Sequence, residues 1–149
     1  MINDDLKLRG DVAIVLKDKD GNVKDSREIQ NLVVSSGLTF ICSRMAGTSA
    51  GVMSHMALGS GTTAASASQT DLVSILGSRE ALDSTTVSTN TVTYVSSFEA
   101  GEGTGAVTEA GIFNAASSGD MLCRTVFSVV NKGASDSMTI TWTITLTAS

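Results

Sequence analysis

The sequence predicts a mainly β protein, an antiparallel β-sandwich or jelly-roll-like domain with one short helix. Three observations support this class. Segments with alternating apolar and polar residues recur in the second half of the chain, glycine-rich turns separate them, and a single stretch has helical spacing. The 149 residues suit one domain over residues 1–149.

Composition narrows the classes of function. The chain is 42% hydrophobic and only 4% aromatic, so its core must consist mainly of aliphatic side chains. The net charge of −5, without a basic cluster, argues against nucleic-acid binding. The acidic start MINDDLKLRG does not resemble a signal peptide, and the longest apolar run, Val12 to Leu16, is too short to span a membrane.

The first predicted element is a β-hairpin. Gly10 to Lys17 forms a β-branched run, and VKDSREI follows the turn sequence DKDGN. Asp20-Gly21 favours a type I′ turn. A calcium loop in the same place fails because Leu16 and Arg27 occupy its first and last ligand positions.

In the segment Asn31 to Gly47 the apolar residues recur at helical spacing instead of alternating with polar ones. Ser35 and Ser36 are candidate caps, and Gly47 is a stop signal. The apolar residues at helical spacing are Leu38, Ile41, Cys42 and Met45. We expect one short helix here, and we expect both Cys42 and Cys123 to be reduced, buried thiols.

Two segments are expected to lie outside regular structure. One is a polar N-terminal arm over residues 1–8, and the other is a small-residue loop over residues 60–72, after a strand in VMSHMALGSG. Both either order on a partner or are simply mobile. The candidate partner-binding residues are Met1, Ile2, Asn3, Asp4 and Asp5.

The second half of the chain is predicted to form β-strands. Residues 91–98 place Val92, Tyr94, Ser96 and Phe98 on one face, and residues 139–146 alternate four threonines with four apolar residues. Residues 121–130 are apolar on both faces, which predicts a strand covered on both sides.

The stretch EAGEGTGAVTEAGIFN, residues 99–114, contains four glycines. It lacks the lysine of a phosphate-binding loop and the strand–helix context of a dinucleotide site. We interpret it as a hairpin turn, with Gly111 at a bulge or a close backbone approach. Glu102 and Glu109 are expected to be solvated carboxylates on the rim of that hairpin.

Candidate catalytic residues are scarce. The single histidine, His55, lies within a predicted strand and is expected to be structural. No nucleophile elbow is present. His55 and the two cysteines are too few and too far apart in the sequence to predict a zinc site. A catalytic triad assembled in space is left open by the sequence. We therefore expect no enzyme activity, no catalytic residues, no cofactor and no metal.

The chain resembles small accessory virion proteins of tailed bacteriophages, including capsid decoration (cement) and tail-associated proteins. The resemblance covers nearly the whole sequence through four segments in order. They are GDVAIVLKDKDGNVKDSREIQNLVVSSGLTFICSRMAG, HMALGSGTTAASASQTDL, EAGIFNAASSGDMLCRTVF and KGASDSMTITWTITL.

The resemblance implies a virion structural protein, made in the cytoplasm of a host bacterium. The first expectation is a decoration protein that binds the major capsid protein from outside as a homo-oligomer and stabilises the shell, with no nucleic-acid or membrane partner. The alternatives are a tail, baseplate or fibre-attachment component bound to a tail protein, and a carbohydrate-binding β-sandwich module.

Overall fold

The computed structural model describes residues 5–47 and 51–148. Within these residues the chain forms nine β-strands and one α-helix. In chain order they are β1 (Leu6–Lys17), β2 (Val23–Val33), α1 (Ser35–Met45), β3 (His55–Gly59), β4 (Glu80–Ala81), β5 (Ser84–Ser88), β6 (Thr91–Phe98), β7 (Gly105–Phe113), β8 (Met121–Lys132) and β9 (Ser137–Ala148).

The strands form one antiparallel sheet in the order β4-β3-β7-β8-β2-β1-β9-β6-β5, which curls into a half-barrel. Two residues connect its edge strands β4 and β5. Leu82 N–H donates to the carbonyl of Ser54 at 2.9 Å, and Asp83 N–H donates to that of Val95 at 2.7 Å. These bonds tie the short connection between β4 and β5 to the residue before β3 and to β6. The mainly β, antiparallel prediction is confirmed, and the sandwich or jelly-roll form stays a prediction.

A seam divides the sheet between β2 and β8. The two strands pair only through Leu32 and Val33 of β2. The Arg27 guanidinium crosses the seam and donates to the carbonyls of Ser128 and Val129. A cationic side chain thus replaces part of the missing ladder of backbone hydrogen bonds.

One apolar core fills the concave side of the sheet. Tyr94 and Phe98 of β6 and Ile140, Trp142 and Ile144 of β9 all point into it and are buried. The period-two predictions for both strands are therefore confirmed. Other members of the core are Val12, Ile14, Leu16, Met56, Leu58, Val107, Ile112, Leu122, Val130 and Met138.

The first hairpin is present, but the predicted turn type is wrong. Gly21 N–H donates to the carbonyl of Asp18 at 3.0 Å, so the turn centres on Lys19 and Asp20. Only Gly21 has a positive φ there, +83°, whereas a type I′ turn needs two such residues. The Asp18 carboxylate accepts the N–H groups of Asp20 and Asn22, both at 2.9 Å, which stabilises this alternative.

The N-terminal strand begins earlier than predicted. Leu6 pairs with Ala148 and Leu8 pairs with Leu146, so residues 6–8 belong to β1 rather than to a polar arm. The alternation of leucine with basic residues in LKLR is the sequence signal for this extension.

The helix lies where it was predicted, but a different face packs on the sheet. Gly37 and Phe40 are buried, whereas Cys42 and Met45 are exposed. The expectation that Cys42 is buried is therefore wrong. The predicted serine cap is also wrong, because Val34 occupies the N-cap without a side-chain bond. Gly37 sets the orientation, since its backbone lies directly against that of Leu122 in β8.

Replacing Gly37 with Ala should destabilise the protein by about 1–3 kcal/mol, as overpacking does. The added Cβ would collide with the carbonyl oxygen of Leu122, and backbone cannot rotate away. Chemical denaturation measures the change. Gly51→Ala is the matched control, because its nearest atom is the Asn114 oxygen at 3.8 Å. Equal stabilities for the two variants would contradict this packing.

Candidate functional site

A long irregular segment covers the convex face of the sheet. Residues 60–74, here called the anchored loop, follow β3 and contain no helix or strand. The small-residue segment predicted over 60–72 lies within it. Most of its side chains are exposed, yet its backbone is fixed to the sheet at several points. The anchored loop is therefore an ordered surface rather than a tether.

The anchor is an ion pair between neighbouring strands. Glu109 of β7 and Arg124 of β8 both have fully buried side chains, with 0% exposure. Arg124 Nε donates to Glu109 Oε2 at 2.8 Å, and Nη2 lies 2.8 Å from the same oxygen. The Nη2 contact is poorly directed for a hydrogen bond and acts mainly through charge. The prediction that Glu109 is a solvated rim carboxylate is wrong.

The carboxylate of Glu109 joins the two ends of the anchored loop. It accepts the backbone N–H of Gly61 at 2.9 Å, of Ser74 at 2.7 Å and of Val73 at 3.1 Å. Burial acts to raise the pKa of Glu109. The N–H donors of Ser74 and Val73, the Arg124 guanidinium and Gly61 outweigh it, so the pKa lies below its usual value of 4.5.

The guanidinium of Arg124 holds the middle of the anchored loop. Its Nη1 donates to the carbonyl of Thr63 at 3.0 Å and to Oε1 of Gln69 at 2.9 Å. Gln69 accepts the N–H of Ser66 at 2.9 Å and donates to the carbonyl of Ala64 at 3.3 Å. The two charges together fix both ends and the centre of the segment.

Two glycines make room for the carboxylate. A Cβ added to Gly59 or to Gly61 would lie 2.5 Å from Glu109 Oε1. Gly59 is also the residue that pairs with Glu109 across the β3–β7 ladder. The sequence Gly59-Ser60-Gly61 is thus a cradle for a side chain of this same protein.

A small apolar cluster supports the next part of the surface. Phe113 and Leu72 belong to it, and Arg79 lies over the Phe113 ring at 3.6 Å from its centre. Arg79 also donates to the carbonyls of Ala115 and Ser118, at 2.9 and 2.7 Å. The segment after the anchored loop is thereby tied to the turn between β7 and β8.

The glycine-rich stretch after β6 forms a turn, but the predicted hairpin is wrong. Strand β6 pairs with β5 and β9, whereas β7 pairs with β3 and β8, so the stretch connects two separate parts of the sheet. Gly101, Gly103 and Gly105 all have positive φ. The first two lie in the turn before β7, and Gly105 is the first residue of that strand.

The pairing of β7 with β8 has two register irregularities, one between Val107 and Glu109 and one between Ile112 and Phe113, directly after Gly111. A Cβ on Gly111 would lie 3.1 Å from side-chain atoms of both Leu72 and Phe113, so side chains rather than another backbone pack against this glycine.

The predicted partner-binding residues are not part of this site. Met1, Ile2, Asn3 and Asp4 lie outside the described residues. Asp5 is described, is exposed and directly precedes β1. Their proposed contact with a partner stays a prediction.

The remaining candidate residues are dispersed. His55 is half-buried on β3, with Nδ1 2.8 Å from Ser54 Oγ. Cys123 is buried in the core, where burial raises the pKa of its thiol. In residues 5–47 and 51–148, no group of three or more His, Cys, Asp or Glu side chains is placed to hold a metal.

A second exposed surface is apolar. A cleft of about 360 Å³ opens between helix α1 and the ends of β6 and β9. Ile41 and Met45 line it from the helix, and Val92 and Leu146 line it from the sheet. Met45 is 82% exposed, so this cleft leaves apolar area in contact with water.

Searches against protein-family models, curated proteins and solved structures found no match for this chain. In the part of the chain that the structure describes, no helix is long and apolar enough to span a bilayer.

Replacing Glu109 with Gln should cost about 3–5 kcal/mol, because Arg124 would remain buried without its counter-charge. Urea denaturation measures the loss. Glu28→Gln, at an exposed position of β2, is the control and should change stability by less than about 0.5 kcal/mol. A similar small effect at Glu109 would mean that the ion pair does not hold the fold.

Acid should weaken the same anchor. The pKa of Glu109 is lower in the folded than in the unfolded state, so its contribution is complete above about pH 4.5 and is lost as the pH falls through the folded pKa. Unfolding free energies measured between pH 7 and pH 3 should fall more steeply for the native protein than for Glu109→Gln. Parallel curves would contradict this assignment.

Proposed function

We propose that the protein is a capsid decoration protein of a tailed bacteriophage, which binds the outside of the assembled shell as a homo-oligomer. The observation that carries the proposal is the anchored loop. This protein uses a fully buried ion pair to fix the shape of an exposed, irregular segment. The resemblance of the four sequence segments supplies the virion context.

The energetics favour a docking role for this surface. Burying two charges is costly, and a buried ion pair is weak evidence for added stability. We infer that the role of this pair is to specify the conformation of the anchored loop. A segment already held in one shape loses less entropy when a partner binds it. Its exposed residues, such as Thr62, Ala64 and Ser68, are small and permit close approach by another backbone.

The fold proposed with this function is a β-sandwich or jelly roll. The core supports this fold, because strands on both sides of the β2–β8 seam contribute side chains to it. Met56 and Ile112 contribute from one side, and Ile14 and Ile140 contribute from the other.

The mechanism is stabilisation by binding. A protein that binds the assembled shell and not its free subunits stabilises the shell by its binding free energy. A homo-oligomer that bridges several capsid subunits multiplies that effect, since its second and later contacts are intramolecular. The major capsid protein is the expected partner, and no nucleic-acid or membrane contact is involved.

Particles that lack this protein should assemble and then release DNA at a lower temperature than complete particles. Added protein should restore the release temperature. Thr70→Arg, at an exposed position of the anchored loop, should weaken particle binding at least tenfold with an unchanged Tm. Thr147→Arg, at an exposed position near the end of β9, is the control and should bind normally. Identical release curves with and without the protein would refute the proposal.

Copy number separates the tail alternative from this proposal. Purified particles should contain hundreds of copies of a shell protein, whereas a handful of copies would indicate a tail, baseplate or fibre-attachment part. The carbohydrate-binding alternative is less favoured. Such sites commonly use aromatic platforms, yet Trp142, Tyr94 and three of the four phenylalanines are buried and Phe127 is only partly exposed.

A further inference from the structure

One edge of the sheet is open and suited to pairing. Strand β5, Ser84–Ser88, is hydrogen-bonded to β6 on one side, and no other described strand lies on its free side. All five residues are exposed, and Val87 is 71% exposed. The free edge of such a strand presents backbone N–H and C=O groups without partners from its own sheet.

This edge carries none of the usual features that prevent pairing. Natural edge strands are kept apart by charges, prolines, bulges or very short length. The sequence of β5 is STTVS, without a charged residue or proline, and its register with β6 is regular over all five residues. The opposite edge of the sheet, β4, is protected because it has only two residues, Glu80–Ala81.

The side chains of β5 also favour a partner. Val87 pairs across the ladder with Val92, which lines the apolar cleft beside helix α1. An exposed valine thus extends an apolar strip to the last strand of the sheet. A strand added at this edge would remove Val87 from water as well as pairing the backbone.

We infer that β5 is the contact through which two copies of this chain associate, in an antiparallel arrangement about a twofold axis. A head-to-tail contact between β5 and β4 of another copy would have only two residues to pair. The twofold contact uses all five residues of both strands. This contact would hold together the homo-oligomer of the proposed function, and the inference rests on the proposed function in that respect.

The length of β5 sets the register. Full overlap about a twofold axis places Thr86 opposite Thr86 of the second copy. Thr85 then lies opposite Val87 of that copy, and Ser84 lies opposite Ser88. Pairs of β-branched residues across an antiparallel ladder are favourable, and no like charges meet.

Cysteine cross-linking tests the register. In a Cys42→Ser background, which removes the exposed native thiol, Thr86→Cys should form a disulfide-linked dimer under mild oxidation. Opposed Cα atoms in an antiparallel pair lie about 4.5–5.5 Å apart, within the range for a disulfide. Ser88→Cys is the matched control on the same strand. Its two copies would be displaced by about 13 Å along the strands and should not cross-link.

Sedimentation equilibrium tests the contact without a covalent bond. The native protein should show a concentration-dependent dimer, and Val87→Lys should weaken it at least tenfold. The two proteins should have the same Tm at dilutions where both are monomeric. Ser26→Lys, at an exposed position of β2 four strands away in the sheet, should leave the dimer unchanged. A monomer at all concentrations, or equal cross-linking of Thr86→Cys and Ser88→Cys, would overturn the inference.

The two proposals fail separately. Native protein that stays monomeric and still protects particles from heat would refute the β5 contact and leave the decoration role intact. A β5 dimer that does not bind particles would refute the decoration role and leave the contact intact.

Discussion

The ion pair between Glu109 and Arg124 is the interaction on which the convex face of this protein depends. Two adjacent strands each place one charged side chain under the anchored loop, and between them these side chains bind its ends and its centre. The charges have no access to water, so each needs the other and the surrounding backbone. The loop takes its shape because these hydrogen bonds must be made.

This arrangement divides the molecule into two functional layers. The concave side is a mainly aliphatic core that also contains Tyr94, Phe98 and Trp142, and its burial supplies stability. The convex side carries a surface whose shape is specified by polar contacts. A second polar anchor, the amino group of Lys132 buried against the carbonyls of Glu99 and Asp136, closes the turns beyond β6 and β8 in a similar way. Buried charges in this protein thus fix irregular segments, and the cluster of Phe113 and Leu72 adds an apolar contact to the anchored loop.

The sequence predicted the elements that a local pattern determines. The alternation in β6 and β9, the helix and the glycine turn before β7 all follow from residues close together in the chain. The burial of Glu109 was missed because it depends on Arg124, which lies on another strand, and on two glycines far earlier in the chain. The exposure of Cys42 was missed because Gly37 sets the helix rotation through a backbone contact with a later strand.

Amide hydrogen exchange of the free protein tests the central claim most directly. If the anchored loop is held in one shape before any partner binds, the N–H groups of Gly61, Val73 and Ser74 should exchange as slowly as those in the centre of β7, although they lie in no strand or helix. Exchange of these three amides at the rate of an unstructured chain, in a protein whose strands remain protected, would contradict the account.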